Sequence, residues 1–196
     1  MKIHKKLTII AVASMTLGLA GLAPLAYFHI QTKEALAKTA TVQIPAVAPK
    51  PAPAPTLITG KPVHISIPSL SMELGVIDGV YNAKTGEWTL TSDKAQYAVP
   101  TVQPNNEDGN TLIYGHYRPQ VFAYLHLIKP GATATITTDN GYAFTYTFQK
   151  SETIDPADTS IFLYKGAPRL TIQTCTGAFM QNRQMYYFSL TSVTKV

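Results

Sequence analysis

Residues 131–149, GATATITTDNGYAFTYTFQ, leave little choice of local structure. Two runs rich in Thr and aromatic residues flank Asp139-Asn140-Gly141. β-Branched and aromatic side chains suit a pleated, half-buried surface. Asn-Gly supplies the positive φ of a tight hairpin turn, so the stretch is predicted to be an antiparallel hairpin. The same texture recurs nearby. In KPVHISIP, Val63, Ile65 and Ile67 alternate onto one face. NTLIYGHY reads as a strand ending near His116, and RLTIQTC and RQMYYFSLTSV read as two more. Helical spacing is scarce. PQVFAYLHLIKPG offers one short helix, with Pro119 in its first turn and Val121, Tyr124, Leu125 and Ile128 on one face. Asp155, ahead of Pro156, is placed to cap a short turn in DPADTSIFL. Many short strands with one or two small helices point to an all-β domain, a closed β-barrel with helical crossovers.

The N-terminal segment obeys other rules. Leu7–Ile30 contains no Asp, Glu, Lys or Arg. As a helix it would be roughly 36 Å long, enough to cross a hydrocarbon core of about 30 Å with some tilt. Lys2, Lys5 and Lys6 before it favour a cytoplasmic N-terminus. A cleaved signal peptide is the rival reading, with ALAK at 35–38 as the cleavage site, but its apolar core would be unusually long. Either way the remainder is exported. The expected organisation is a cytoplasmic tail over 1–6, a membrane anchor over 7–30, an Ala/Pro-rich stalk over 31–59 and a domain over 60–196. PKPAPAP within the stalk favours extended polyproline II. Lys2, Lys5, Lys6 and Lys33 against Glu34 place three of the five net positive charges in residues 1–37. The exported part is nearly balanced and has no basic stripe, which argues against a nucleic-acid partner.

Export sharpens the meaning of Cys175, the single cysteine of the chain. Exported proteins tend to use cysteines in pairs. A lone thiol is a buried small hydrophobe, an intermolecular cross-link or a nucleophile. A nucleophile needs an acid–base partner and a group to hold an oxyanion. Of the five histidines, His4 and His29 fall in the tail and anchor, His64 is off-phase in its strand, and His126 sits in YLHLI, where a structural role is favoured. His116 remains, at the point where a strand runs out into a loop. Seven residues separate Cys175 from Arg183, enough for a loop that turns the chain back. Arg183 would then open the next strand, beside the strand that ends at Cys175. Its fixed charge suits an oxyanion, and its pKa is too high for a base.

Three segments together resemble the sortase family. TIQTC at 171–175 is similar to the family's Thr-Leu-x-Thr-Cys signature, with Ile172 for Leu. GNTLIYGHY resembles the segment ending in the family's catalytic His, and Arg183 follows Cys175 at a spacing some members use. KPVHISIPSL and FAYLHLIKPGATATI add supporting likeness. The resemblance implies an eight-stranded sortase barrel and a cysteine transpeptidase. Cys175 would attack the carbonyl of a sorting-signal peptide, commonly of the Leu-Pro-x-Thr-Gly type. His116 would protonate the leaving amine, Arg183 would steady the oxyanion and Thr174 would help position it. An amine acceptor would release the thioacyl enzyme, attaching surface proteins to the cell wall without cofactor or metal. No Asp-Pro-aromatic lid precedes the barrel, no second apolar span follows it, and no acidic cluster suggests calcium. These departures look most like the compact class E or F type. The specificity loop would lie within Thr147–Arg169. An L,D-transpeptidase would require a Ser-x-Gly-Cys-x-Arg pattern, which TIQTCTG lacks. The alternative is a non-enzymatic exported β-barrel binding module, with Cys175 as a buried structural residue inert to alkylation.

Overall fold

The computed structural model describes residues 56–196. The expected anchor over Leu7–Ile30 lies outside them, as does most of the stalk. Among the described residues no helix is long and apolar enough to cross a membrane. Ten strands form: β1 (Pro62–Ile67), β2 (Met72–Gly79), β3 (Tyr81–Asn82), β4 (Glu87–Trp88), β5 (Ala95–Ala98), β6 (Asn110–Tyr114), β7 (Thr133–Thr138), β8 (Tyr142–Ile154), β9 (Arg169–Thr176) and β10 (Asn182–Lys195). Eight of them close into a barrel in the order β1-β2-β5-β6-β9-β10-β8-β7, with β7 pairing back onto β1. The expected closed eight-stranded barrel is therefore what the chain builds. β3 and β4 form a separate two-stranded sheet.

The predicted hairpin is β7–β8, and Gly141 takes φ +80 in its turn, a value only glycine adopts freely. Two strand pairs, β2–β5 and β6–β9, are parallel, so long connections must cross between them. Two local expectations change. Val63 is 40% exposed, because the register of β1 shifts between Pro62 and His64. Such a bulge turns the extra residue off the buried face. The predicted helix is a five-residue 3-10 turn over Ala123–Leu127. With three residues per turn, Phe122 and Leu125 share the buried face, while Tyr124 is 47% exposed. Asp155 does cap its turn, its carboxylate accepting the Ala157 N–H at 2.7 Å.

The barrel interior is filled by Ile65, Ile67, Ile113, Ile136, Phe144, Leu170, Ile172, Phe188 and their neighbours. Each such side chain contributes about 1.5–3 kcal/mol by leaving water. A second, smaller cluster lies on the opposite face of the same strands and joins Ala98, Leu112, Tyr114, Ile161, Met185 and Tyr187. Trp88, the only tryptophan, roofs part of it. Its ring meets Tyr114 edge-on at 5.4 Å and stacks on Phe162 at 6.1 Å.

Both ends of the described domain meet at one pole of the barrel. The Asn140 amide in the β7–β8 turn donates to the Thr59 carbonyl at 2.8 Å. Gly60 N–H donates to Pro104 O at 3.2 Å, and Val196 N–H to Gly141 O at 2.9 Å.

Candidate active site

Cys175 lies near the end of β9, and strand alternation decides where its thiol points. Leu170 and Ile172 face the barrel interior, so Thr171, Gln173 and Cys175 share the outer face. On β10, Tyr186 and Phe188 point inward while Met185 and Tyr187 belong to the outer cluster, which puts Arg183 on the outside as well. β9 and β10 pair antiparallel with Cys175 directly opposite Arg183. The reversal expected from seven intervening residues is thus made by the loop over 177–181. Cys175 is only partly buried and belongs to neither apolar cluster, unlike a structural core cysteine.

On the other side of β9 runs β6, parallel and in register up to Tyr114 against Gln173. His116 follows two residues after that last pair, where the chain leaves β6 and turns. The chain there is clamped. Gly115 N–H donates to Gln173 O at 3.1 Å, and the Thr174 hydroxyl donates to Gly115 O at 3.0 Å. The His116 carbonyl accepts the N–H of Arg118 at 3.0 Å and of Phe122 at 3.2 Å. Gly115 has no room for a side chain: a Cβ would sit 2.8 Å from Val121 Cγ1 and 3.0 Å from the Phe122 ring. Cys175 and Arg183 thus pair directly across β9 and β10, His116 follows β6 by two residues, and the cavity that Cys175 lines includes neither His116 nor Arg183. Burial, with the charge of Arg118 added to it, holds the His116 imidazole below its ordinary pKa and favours the neutral ring.

Arg183 does not reach toward Cys175. Its Nη1 donates to the carbonyls of Met180 and Asn182, both at 3.2 Å. The intervening loop is exposed, with Phe179 at 90%, and Met180 holds a left-handed φ of 56. Thr174 is 2% exposed and shares the inward phase of Leu170 and Ile172. Its hydroxyl is committed to the Gly115 carbonyl, so it does not share the outer face of Cys175 and Arg183.

His126 also approaches Cys175, from the barrel mouth. A cavity of about 220 Å³ is lined by Tyr117, His126, Ile128, Cys175, Gln184 and Tyr186, among others. The Nδ1 of His126 is bonded to Ala123 O at 2.6 Å within its own 3-10 turn. Sequence reasoning passed over this second approach, as well as the Gly115–Phe122 contact that fixes His116. Among the described residues no three His, Cys, Asp or Glu side chains gather as a metal would need.

A partly exposed thiol paired across the sheet with an arginine suits acyl transfer through a thioester. Comparison with known proteins agrees. The family model described as Sortase domain matches residues 65–190. A search of curated proteins found no match. Sortase C1 from Streptococcus agalactiae superposes with a TM-score of 0.56 at 21% identity, covering 68% of this chain and 69% of that one. Sortase E1 from Streptomyces coelicolor, solved with a tripeptide in the active site, gives 0.55 at 19% identity, covering 70% and 91%. Sortase A from Listeria monocytogenes gives 0.54 at 23%, covering 69% and 90%. These structural likenesses are likenesses of fold.

Proposed function

The chain belongs to the sortase family of cysteine transpeptidases, and from that premise we propose that Cys175, His116 and Arg183 carry its acyl transfer. In this reading the Cys175 Sγ attacks the scissile carbonyl carbon of a sorting-signal peptide. The carbonyl oxygen becomes an oxyanion, and Arg183 donates to it. His116, as imidazolium, protonates the leaving amine as the C–N bond breaks. The thioester left on Cys175 is then opened by an amine, which loses a proton to His116 as the C–S bond breaks, restoring the imidazolium and the thiolate. The observation that carries the reading is the direct pairing of Cys175 with Arg183 across β9 and β10. Thr174 serves as a positioning residue, tying the chain before His116 to the chain before Cys175.

The signal is taken to be of the Leu-Pro-x-Thr-Gly type and the acceptor to be a cell-wall or protein amine. The charge-free run Leu7–Ile30 supports a membrane-anchored enzyme with its domain outside the cell. The alignment spans 91% of sortase E1 but 69% of sortase C1, which supports kinship with the compact members. The test is mass spectrometry of the full-length chain in detergent, incubated with x-Pro-x-Thr-Gly peptides and triglycine. The expected result is a ligated product and a thioacyl adduct, both abolished in Cys175→Ala. Product that persists in Cys175→Ala would sink the assignment.

A further inference from the structure

A second cavity, of about 270 Å³, lies on the outer face of the sheet at the β8–β9 connection, with Lys150, Glu152, Ser160, Tyr164, Arg169 and Tyr187 in its walls. It shares no lining residue with the cavity at Cys175. Tyr186 lines that one and Tyr187 this one, and neighbours in a strand point to opposite faces. Arg169 stands six residues before Cys175, about 20 Å away along β9. A register shift between Tyr187 and Phe188 leaves Gln149 out of the pairing and turns Lys150 to the outer face, opposite Tyr187. Arg169 is the centre of the site. Its guanidinium carbon lies 3.7 Å from the Tyr164 ring centroid and 4.9 Å from that of Tyr187. Its Nε donates to Asn110 Oδ1 at 3.0 Å, which fixes one edge of the fork. Tyr164 is held in turn, its hydroxyl donating to Ala167 O at 3.1 Å. Among the described residues neither Nη of Arg169 has an acceptor, and Arg169 makes no ion pair. Lys150 is spent on Glu152, at 2.9 Å. The cavity therefore carries two cations against one carboxylate. Burial pulls the Arg169 guanidinium below its ordinary pKa, and the pull is only partly offset by Tyr164, Tyr187 and Glu152.

We propose that this cavity binds a carboxylate carried on a short peptide, at a site separate from the acyl-transfer centre and independent of the sorting signal. The free end of the guanidinium fork matches the two oxygens of a carboxylate. One uncompensated positive charge suits a monoanion, whereas the larger charge of a phosphate would be repelled more strongly by Glu152. The volume falls just under the range of about 300–1,000 Å³ typical of drug-sized ligands, so the bound part is small. Ile161 and Leu163 supply an apolar wall for a short side chain beside the carboxylate. A peptide C-terminus and an acidic side chain offer the same group. Because the walls come from β8, β9, β10 and the β8–β9 connection, a bound carboxylate ties that connection to the barrel.

The experiment is titration calorimetry of the full-length chain in detergent. The probes are N-acetyl-Ala-Ala with a free carboxylate, its C-terminal amide, N-acetyl-Asp N-methylamide and inorganic phosphate. The expected result is that a carboxylate probe binds at least about 10-fold more tightly than the amide or phosphate, as for a hydrogen bond to a charged group. The tighter of the two carboxylate probes tells a peptide end from an acidic side chain. Arg169→Gln should abolish the preference. Arg169 also holds Asn110, so Tyr164→Leu is the second variant; it keeps the Nε bond, removes one aromatic face and should weaken binding about 3–10-fold. In Cys175→Ala, saturation with a Leu-Pro-x-Thr-Gly peptide should leave the affinity for the carboxylate probe unchanged. Carboxylate probes that bind no better than the amide, phosphate bound as tightly, or displacement by the sorting peptide would each overturn the proposal. So would binding unaltered in both Arg169→Gln and Tyr164→Leu.

Discussion

On the β6 flank of Cys175 the chain before and after His116 is sewn down, by Gly115 to β9 and by the His116 carbonyl to Arg118 and Phe122. On the β10 flank Arg183 reaches only backward, to the carbonyls of its own loop. The difference separates two tasks. A proton donor works best already in place, since misplacement by about 1 Å can cost on the order of 100-fold in rate. An oxyanion donor is needed only once charge has developed, so a guanidinium parked on neutral carbonyls loses little by turning to a charged oxygen. In the proposed mechanism the backbone that carries the acid is preset, and the oxyanion donor would be released by substrate.

The sharpest way to break the comparison is at the histidines. His116→Ala should lower kcat/KM for ligation by at least about 100-fold, the lower end of what a general acid supplies. His126→Ala should change it by less than about threefold. The reverse ranking would move the acid from the end of β6 to the barrel mouth. Next comes Arg183. Arg183→Ala should lower kcat by about 100-fold with the thiol still open to alkylation, as for the loss of one oxyanion donor. Arg183→Lys should recover only part, since an ammonium lacks the forked donors. If Arg183→Ala raised only KM, the guanidinium would be a substrate anchor instead.

The clamp itself is tested by stability. Gly115→Ala forces a Cβ against Val121 and Phe122 and should cost about 1–3 kcal/mol in chemical denaturation. Thr174→Val loses one buried hydrogen bond, about 1 kcal/mol, and should lower kcat more than its stability loss explains. The smallest effect concerns pH. In the proposed mechanism the acid is the His116 imidazolium, which gives up its proton as pH rises through the acidic limb of the rate profile. Arg118 helps to hold that pKa down. Arg118→Gln should therefore raise it, moving the acidic limb to higher pH and lifting the plateau. An unmoved limb would assign it to another group.

What the sequence made legible was local. The Asp-Asn-Gly turn named the β7–β8 hairpin, and seven residues between Cys175 and Arg183 were enough to foresee their pairing across β9 and β10. Alternation through Leu170, Ile172 and Thr174 would also have turned Thr174 inward, had the core face been known. What stayed hidden was non-local. The β6–β9 register joins residues 59 apart, and no pattern in either strand encodes it. β5 reads AQYA, buried on both faces, so it has no alternation to detect. Trp88 belongs to a two-residue strand, and its packing on Tyr114 and Phe162 depends on the β8–β9 connection folding over it.

The pairing of β10 with β8 runs from Arg183 opposite Ile154 to Lys195 opposite Tyr142. The Cys175–Arg183 pair and the pole where Thr59, Gly141 and Val196 converge are thus separated by the length of β10, about 40 Å along the strand. A handle placed at either end of the domain pulls on the same pole. A bead, a fluorophore or a fused partner attached there leaves the thiol face open to solution. Mechanical load on such a handle would enter through the β7–β8 turn, far from the pair proposed to do the chemistry.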